Sequence, residues 1–266
     1  MMRGIVMSAA GIFAKAGREM RNQRDVQTIE HSHAPEAIRH RIARPAPASY
    51  TGDLIYGGFD GTVTTFAIVA GVAGASLSYE VTLILGVANL VADGFSMAMG
   101  SYLSTKADAQ RYDELRRVEE THIDIDPDGE RAEVREILRQ MGVPGEYVRP
   151  AADGITADRE RWVDLMMAGE YGLTGRGRPP LAAGLATFAA FLVLGLVPLL
   201  PYIFRLPSPF LWASISTVFA FTAVGALKGF YADGKVFGAI VESVTVGSLA
   251  AVIAWSIGRV LSALPL

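Results

Sequence analysis

Apolar residues along this chain are bunched into long blocks rather than spaced at a helix or strand period. Five blocks, roughly Leu54–Leu77, Val81–Leu103, Leu181–Phe204, Phe210–Phe230 and Val236–Val260, are each long enough to cross about 30 Å of hydrocarbon at about 1.5 Å per residue. Between the second and third lies a polar stretch, Ser104 to Arg178, too long for a plain connection. Its pattern predicts three helices: Lys106–His122, continuing the second span; Asp128–Met141, starting after Pro127 and stopped by Gly142; and Asp158–Tyr171, with Asp158 as candidate cap. The predicted fold is all-α, a polytopic membrane protein of five transmembrane helices with a three-helix insert. The chain divides into an arm (1–50), spans one and two (51–103), the insert (104–178) and spans three to five (179–266).

Composition agrees: 51% of the 266 residues are hydrophobic, and the mean hydropathy is +0.31. The absence of cysteine excludes disulfides, thiolate zinc sites and redox pairs. A net charge of −3 points away from a nucleic-acid partner. Of the 24 Lys and Arg, 22 precede the first span, lie in the insert or flank the fourth-to-fifth turn (Lys228, Lys235); only Arg205 and Arg259 lie opposite. By the excess of basic residues the populated side is cytosolic, and five spans put the C-terminus outside. The apolar run Gly4–Ala14 imitates a signal peptide, but cleavage would strand Arg18 to Arg44 outside, so the segment reads as a cytosolic arm. Within it, His31 and His33 are weak metal candidates, and Pro45-Ala46-Pro47 reads as a linker.

Acidic groups inside the spans are few: Asp60, Asp93 and Glu242. Ionisable groups in hydrocarbon are costly and mark transport paths or interhelical pairs. Asn89, Asp93 and Met97 share one face at i, i+4, i+8; Asp53, Asp60 and Thr64 share another. For Asn89 and Thr64 the alternative is simple interhelical hydrogen bonding.

The insert carries Glu119-x-x-His122, Glu130-x-x-Glu133 and Met166-Met167-x-x-Glu170, one set on each predicted helix. Oxygen donors with a nitrogen and a soft thioether suit Fe²⁺ or Mn²⁺ better than Mg²⁺ or Ca²⁺, with Zn²⁺ left open. Any single acid is as well explained as solvated surface, since the insert holds 17 Asp and Glu against 12 Lys and Arg, and the methionines as core filler. Recurrence on three helices favours the metal reading.

Asp60-Gly61-x-x-x-x-Phe66-Ala67 with Ala70-Gly71, Ala92-Asp93-Gly94-Phe95-Ser96-Met97-Ala98-Met99-Gly100 with Tyr102-Leu103-Ser104-Thr105-Lys106, and Asp164-Leu165-Met166-Met167-x-x-Glu170 resemble the motifs of the vacuolar iron transporter family. That resemblance covers Asp53 to the C-terminus. It implies a homodimer of five-span subunits with a path between the two first spans, and an insert that collects metal. It implies metal positions at Asp60 and Met97, an entrance acid at Asp53, and insert ligands at Glu119, Glu130, Glu133, Met166, Met167 and Glu170. Asn89 stands where some members have a glutamate, leaving Asp93 as the substitute for proton coupling. His122 replaces another glutamate and, changing charge near neutrality, would make metal loading sensitive to pH.

The resulting expectation is a non-enzymatic membrane exporter of Fe²⁺, with Mn²⁺ as a second substrate, working by proton antiport without a prosthetic group. The bacterial inner membrane is its expected location, or an organelle membrane in a eukaryote. Two alternatives are a membrane-anchored ferritin-like di-iron protein, which would need a second Glu-x-x-His, and a membrane-anchored metal sensor.

Overall fold

The computed structural model describes residues 32–43, 48–232 and 234–264. It divides into two units, 1–47 and 48–266. In the first, α1 (Pro35–Ile42) opens with proline at its first turn, where a missing N–H costs nothing. The apolar run 4–14, His31 and the Pro45–Pro47 linker lie outside the described residues; His33 stands two residues before α1, next to its N-cap Ala34.

In the second unit every described regular element is helical. Five helices are long and apolar enough to span a membrane: α2 (Thr51–Gly74), α3 (Tyr79–Ile125), the composite α7–α8 (Pro180–Ile203), α9 (Pro209–Ala232) and α10 (Val236–Ser262). The chain is a polytopic, all-α membrane protein. The third span departs from the continuous helix expected: α7 (Pro180–Gly195) gives way to a 3₁₀ turn, Val197–Leu199, before α8 (Leu200–Ile203). Pro198 and Pro201 each remove a backbone donor, and the Leu199 N–H bonds the Leu196 carbonyl instead.

The bundle is apolar outside, as a hydrocarbon solvent requires. Ile84, Phe95, Val193, Phe219 and Phe237 are more than half exposed. Small residues hold the inside together. α2 packs against all four other spans, and Gly61 lies where a side chain would run into the Phe191 carbonyl of α7. Phe66, Val69 and Ala70 of α2 form an apolar cluster with Leu199, Tyr202, Ala213 and Ala251.

With 47 residues, α3 is about 70 Å long, more than twice the hydrocarbon thickness. Its far end joins α4 (Pro127–Gln140), α5 (Gly145–Thr156) and α6 (Arg159–Gly169). The insert therefore has one helix more than expected. Pro144, Gly145, Pro150 and Gly154 give α5 the composition of a loop. It forms because Val148 and Ala152, at i and i+4, are buried in a cluster with Ile123, Val134, Leu138, Trp162, Val163, Met166 and Met167, while Pro150 faces solvent. Capping is local: Asp126 accepts from the Gly129 N–H at 3.0 Å, and Asp158 from the Glu160 and Arg161 N–H groups at 3.1 and 3.4 Å.

Candidate metal centre

The turn at Asp126-Pro127 folds α4 back so that its first turn lies beside the last turns of α3. That brings Glu119 and His122 of α3 against Glu130 of α4. One donor atom from each lies within 4.8 Å of the other two: His122 Nδ1 is 3.4 Å from Glu130 Oε1 and 4.0 Å from Glu119 Oε1. An ion with oxygen and nitrogen ligands near 2 Å holds its donors about 3–4 Å apart, so the spacing fits one first-row divalent cation.

Burial sharpens the argument. Glu119 and Glu130 are 1% and 6% exposed, and Oε2 of each is buried with no hydrogen-bond partner among the described residues. A buried carboxylate oxygen without a partner is expensive. Desolvation first, then Glu119 and the nearby Glu133 charge, push the Glu130 carboxyl up to about 7. Glu119 is raised for the same leading reason, opposed by the Tyr171 hydroxyl, which donates to its Oε1 at 2.7 Å. A divalent cation would supply the charge both acids lack.

Glu133 and Glu170 are exposed at the rim, near enough for their charges to act on the buried pair. Met166 and Met167 are fully buried in the insert's apolar cluster. α6 is fixed to α3 by Arg116, which reaches Glu120 at 3.3 Å, Asp164 at 2.7 Å and also Glu160, and by Arg159, paired with Asp124 at 2.6 Å. Sequence reasoning missed Tyr171. It follows the end of α6, outside the i, i+3 pattern, and its neighbour to Glu170 was the one available signal.

In the spans, Asp60 and Asp93 are half-buried and lie within reach of one another's charge. Met97, one turn beyond Asp93, is half-buried, and Asn89 Nδ2 is buried without a partner among the described residues. Thr64 bonds the Asp60 backbone carbonyl at 2.9 Å. Glu242 pairs with Lys228 at 2.8 Å across the α9–α10 turn. Asp53 is 8% exposed at the insert-side end of α2. Its Oδ2 is paired with Arg178, and its Oδ1 accepts from the Ser101 hydroxyl at 3.3 Å. Neither partner carries a sequence signal, because each meets Asp53 only through the bundle.

Residues 51–259 match the model of the VIT family. A vacuolar iron transporter of Centaurea cyanus is 32% identical over 225 residues, 83% of this chain and 91% of that protein. Vacuolar iron transporter 1 of Oryza sativa is 31% identical over 88% of this chain and 92% of its own length. A vacuolar iron transporter of Toxoplasma gondii is 33% identical over 70% of this chain and 65% of its own. With a family match running from the first span almost to the C-terminus, and a relative above 30% identity aligned along most of both chains, this protein belongs to the VIT family.

Proposed function

We propose that the protein is a transporter that collects Fe²⁺, with Mn²⁺ as a second substrate, in the Glu119–His122–Glu130 centre and carries it out of the cytosol by proton antiport. The observation that carries this reading is the buried pair of carboxylates, each with an unpartnered oxygen, beside an imidazole nitrogen. Like relatives named for vacuolar iron transport support iron as the cargo. Glu133 and Glu170 at the rim attract the cation, and Met166 and Met167 add soft ligands where a rotamer change brings sulfur to the ion.

From the insert the ion passes to Asp53, then to Asp60 and Met97 along a path between the α2 helices of a homodimer. Asp93, with Asn89 on its face, takes the proton. A carboxylate binds metal or proton but not both, so the two flows couple without any covalent intermediate. The insert and N-terminus are cytosolic, the C-terminus lies outside, and the bacterial inner membrane is the setting.

The test is flux into proteoliposomes under an imposed proton gradient. Asp60→Asn keeps the side chain's shape and removes its charge, and it should abolish Fe²⁺ uptake while leaving the oligomer intact. Glu119→Gln with Glu130→Gln should remove metal binding measured by titration on the full-length protein. Wild-type flux in the first variant and unchanged affinity in the second would together refute the reading.

A further inference from the structure

Two cavities meet between α3 and α7 on the insert side of the bundle. One, of about 530 Å³, is lined by three cations, Lys106, Arg176 and Arg178, and by no acid. The other, of about 540 Å³, lies within the span and is lined by apolar groups including Phe95, Met99, Leu185 and Phe188. Tyr102 and Leu181 line both, so the basic pocket opens into the apolar groove. The floor is the close crossing at Gly184, where a side chain would meet the Ala98 carbonyl oxygen at 2.8 Å. Phe95 and Leu185 on its walls are 61% and 58% exposed, open to hydrocarbon.

The geometry points to a binding site for an anionic phospholipid, its phosphate among Lys106, Arg176 and Arg178 and an acyl chain along the groove. The chemistry is complementary at both ends. Lys106 sits 5.6 Å above the Tyr102 ring and has no carboxylate partner among the described residues. Arg176 pairs with Asp113 at 2.7 Å, but that pair is exposed and weakly held. The segment entering α7 is Pro179-Pro180, which offers no backbone N–H donors, so the cationic side chains are the charged groups there that suit an anion. Tyr102 has the amphipathic ring of the interfacial belt, and Lys106 one turn on can reach headgroups. Basic pockets between spans at headgroup depth suit anionic lipid. A zwitterionic lipid would bring its ammonium into a group of cations, and free phosphate would leave the groove unused.

Arg178 also holds Asp53, so a bound headgroup would draw on the cation that neutralises the entrance acid. That link rests on the proposed transport path; lipid binding does not. The test therefore uses no metal and no flux. Full-length protein in detergent is offered equal phosphatidylglycerol and phosphatidylcholine of matched chains, and retained lipid is counted by native mass spectrometry. Phosphatidylglycerol should be preferred, with the preference falling about fivefold for each of Lys106→Gln and Arg176→Gln. Arg111→Gln with Arg149→Gln, which removes twice the charge of either crevice variant from exposed positions outside the crevice, should leave it intact. The inference is overturned by an equal loss in that control pair or by an undiminished preference in the crevice variants. Release of the lipid by millimolar inorganic phosphate would overturn it too. So would no preference in the unaltered protein, the outcome if a second copy of the chain covers this face.

Discussion

Burying Glu130 beside Glu119 carries a cost that a proton relieves. Its carboxyl sits at about 7 in the folded protein, against an ordinary value near 4.3 in an unfolded chain. Between those values the folded state holds the proton and the unfolded state has released it, so stability falls as pH rises through the window. Trp162 is the insert's single tryptophan and is buried in its core. In a Trp212→Phe, Trp255→Phe background its fluorescence should therefore report a higher unfolding temperature for the metal-free insert at pH 5.5 than at pH 7.5. Adding Mn²⁺ should stabilise more at pH 7.5, where the carboxylates are vacated by protons, and Glu130→Gln should flatten the pH dependence. A slope of opposite sign in the metal-free protein would contradict the burial argument. Asp53 poses the converse case, a buried acid that already has its counter-charge. Arg178→Gln leaves that carboxylate with the Ser101 hydroxyl alone and should cost roughly 2 kcal/mol, less than the about 3–5 kcal/mol of fully buried pairs because Arg178 is itself a third exposed. Adding Asp53→Asn should recover most of the loss, measured as thermal unfolding in detergent.

At the scale of elements, what was legible in the sequence followed from how local each signal is. The spans could be read because hydrocarbon demands an unbroken apolar block, and α4 and α6 because Pro127 and Gly142 bound the one and Asp158 caps the other, all signals local in the chain. α5 was not legible: its glycines and prolines oppose it, and only burial of Val148 and Ala152 against other helices outweighs them. The same division runs through the site. Glu119, His122 and Glu130 stand out by spacing on α3 and α4, whereas Tyr171 and Arg178 act through contacts made 52 and 125 residues away in the chain. This view predicts that α5 depends on its face rather than its propensity. Val148→Asp should unfold the insert, read by loss of the Trp162 signal, while Pro150→Ala should leave it folded and slightly more stable, since Pro150 is exposed and opposes the helix. Gly61→Val tests the membrane counterpart. With α2 pushed off the Phe191 carbonyl, both unfolding temperature and flux should fall.

Across the whole molecule, one long helix joins two solvents. α3 runs without a break from the end of the bundle away from the insert to the candidate metal centre, so the insert is carried on a continuous rod instead of a flexible linker, and its carboxylates stay on the side where α2 begins with Asp53. Sidedness then decides whether the candidate centre would feed or drain the proposed path, and the positive-inside imbalance predicts that it faces the cytosol. Because the chain has no cysteine, single cysteines report this cleanly. Thr121→Cys on the exposed face of the α3 extension and Ser208→Cys in the turn before α9 lie at opposite ends of the bundle. In intact cells an impermeant maleimide added outside should modify Ser208→Cys and leave Thr121→Cys untouched until the membrane is opened. The reverse labelling would turn the insert outward, making the centre a scavenger of external metal and the protein an importer.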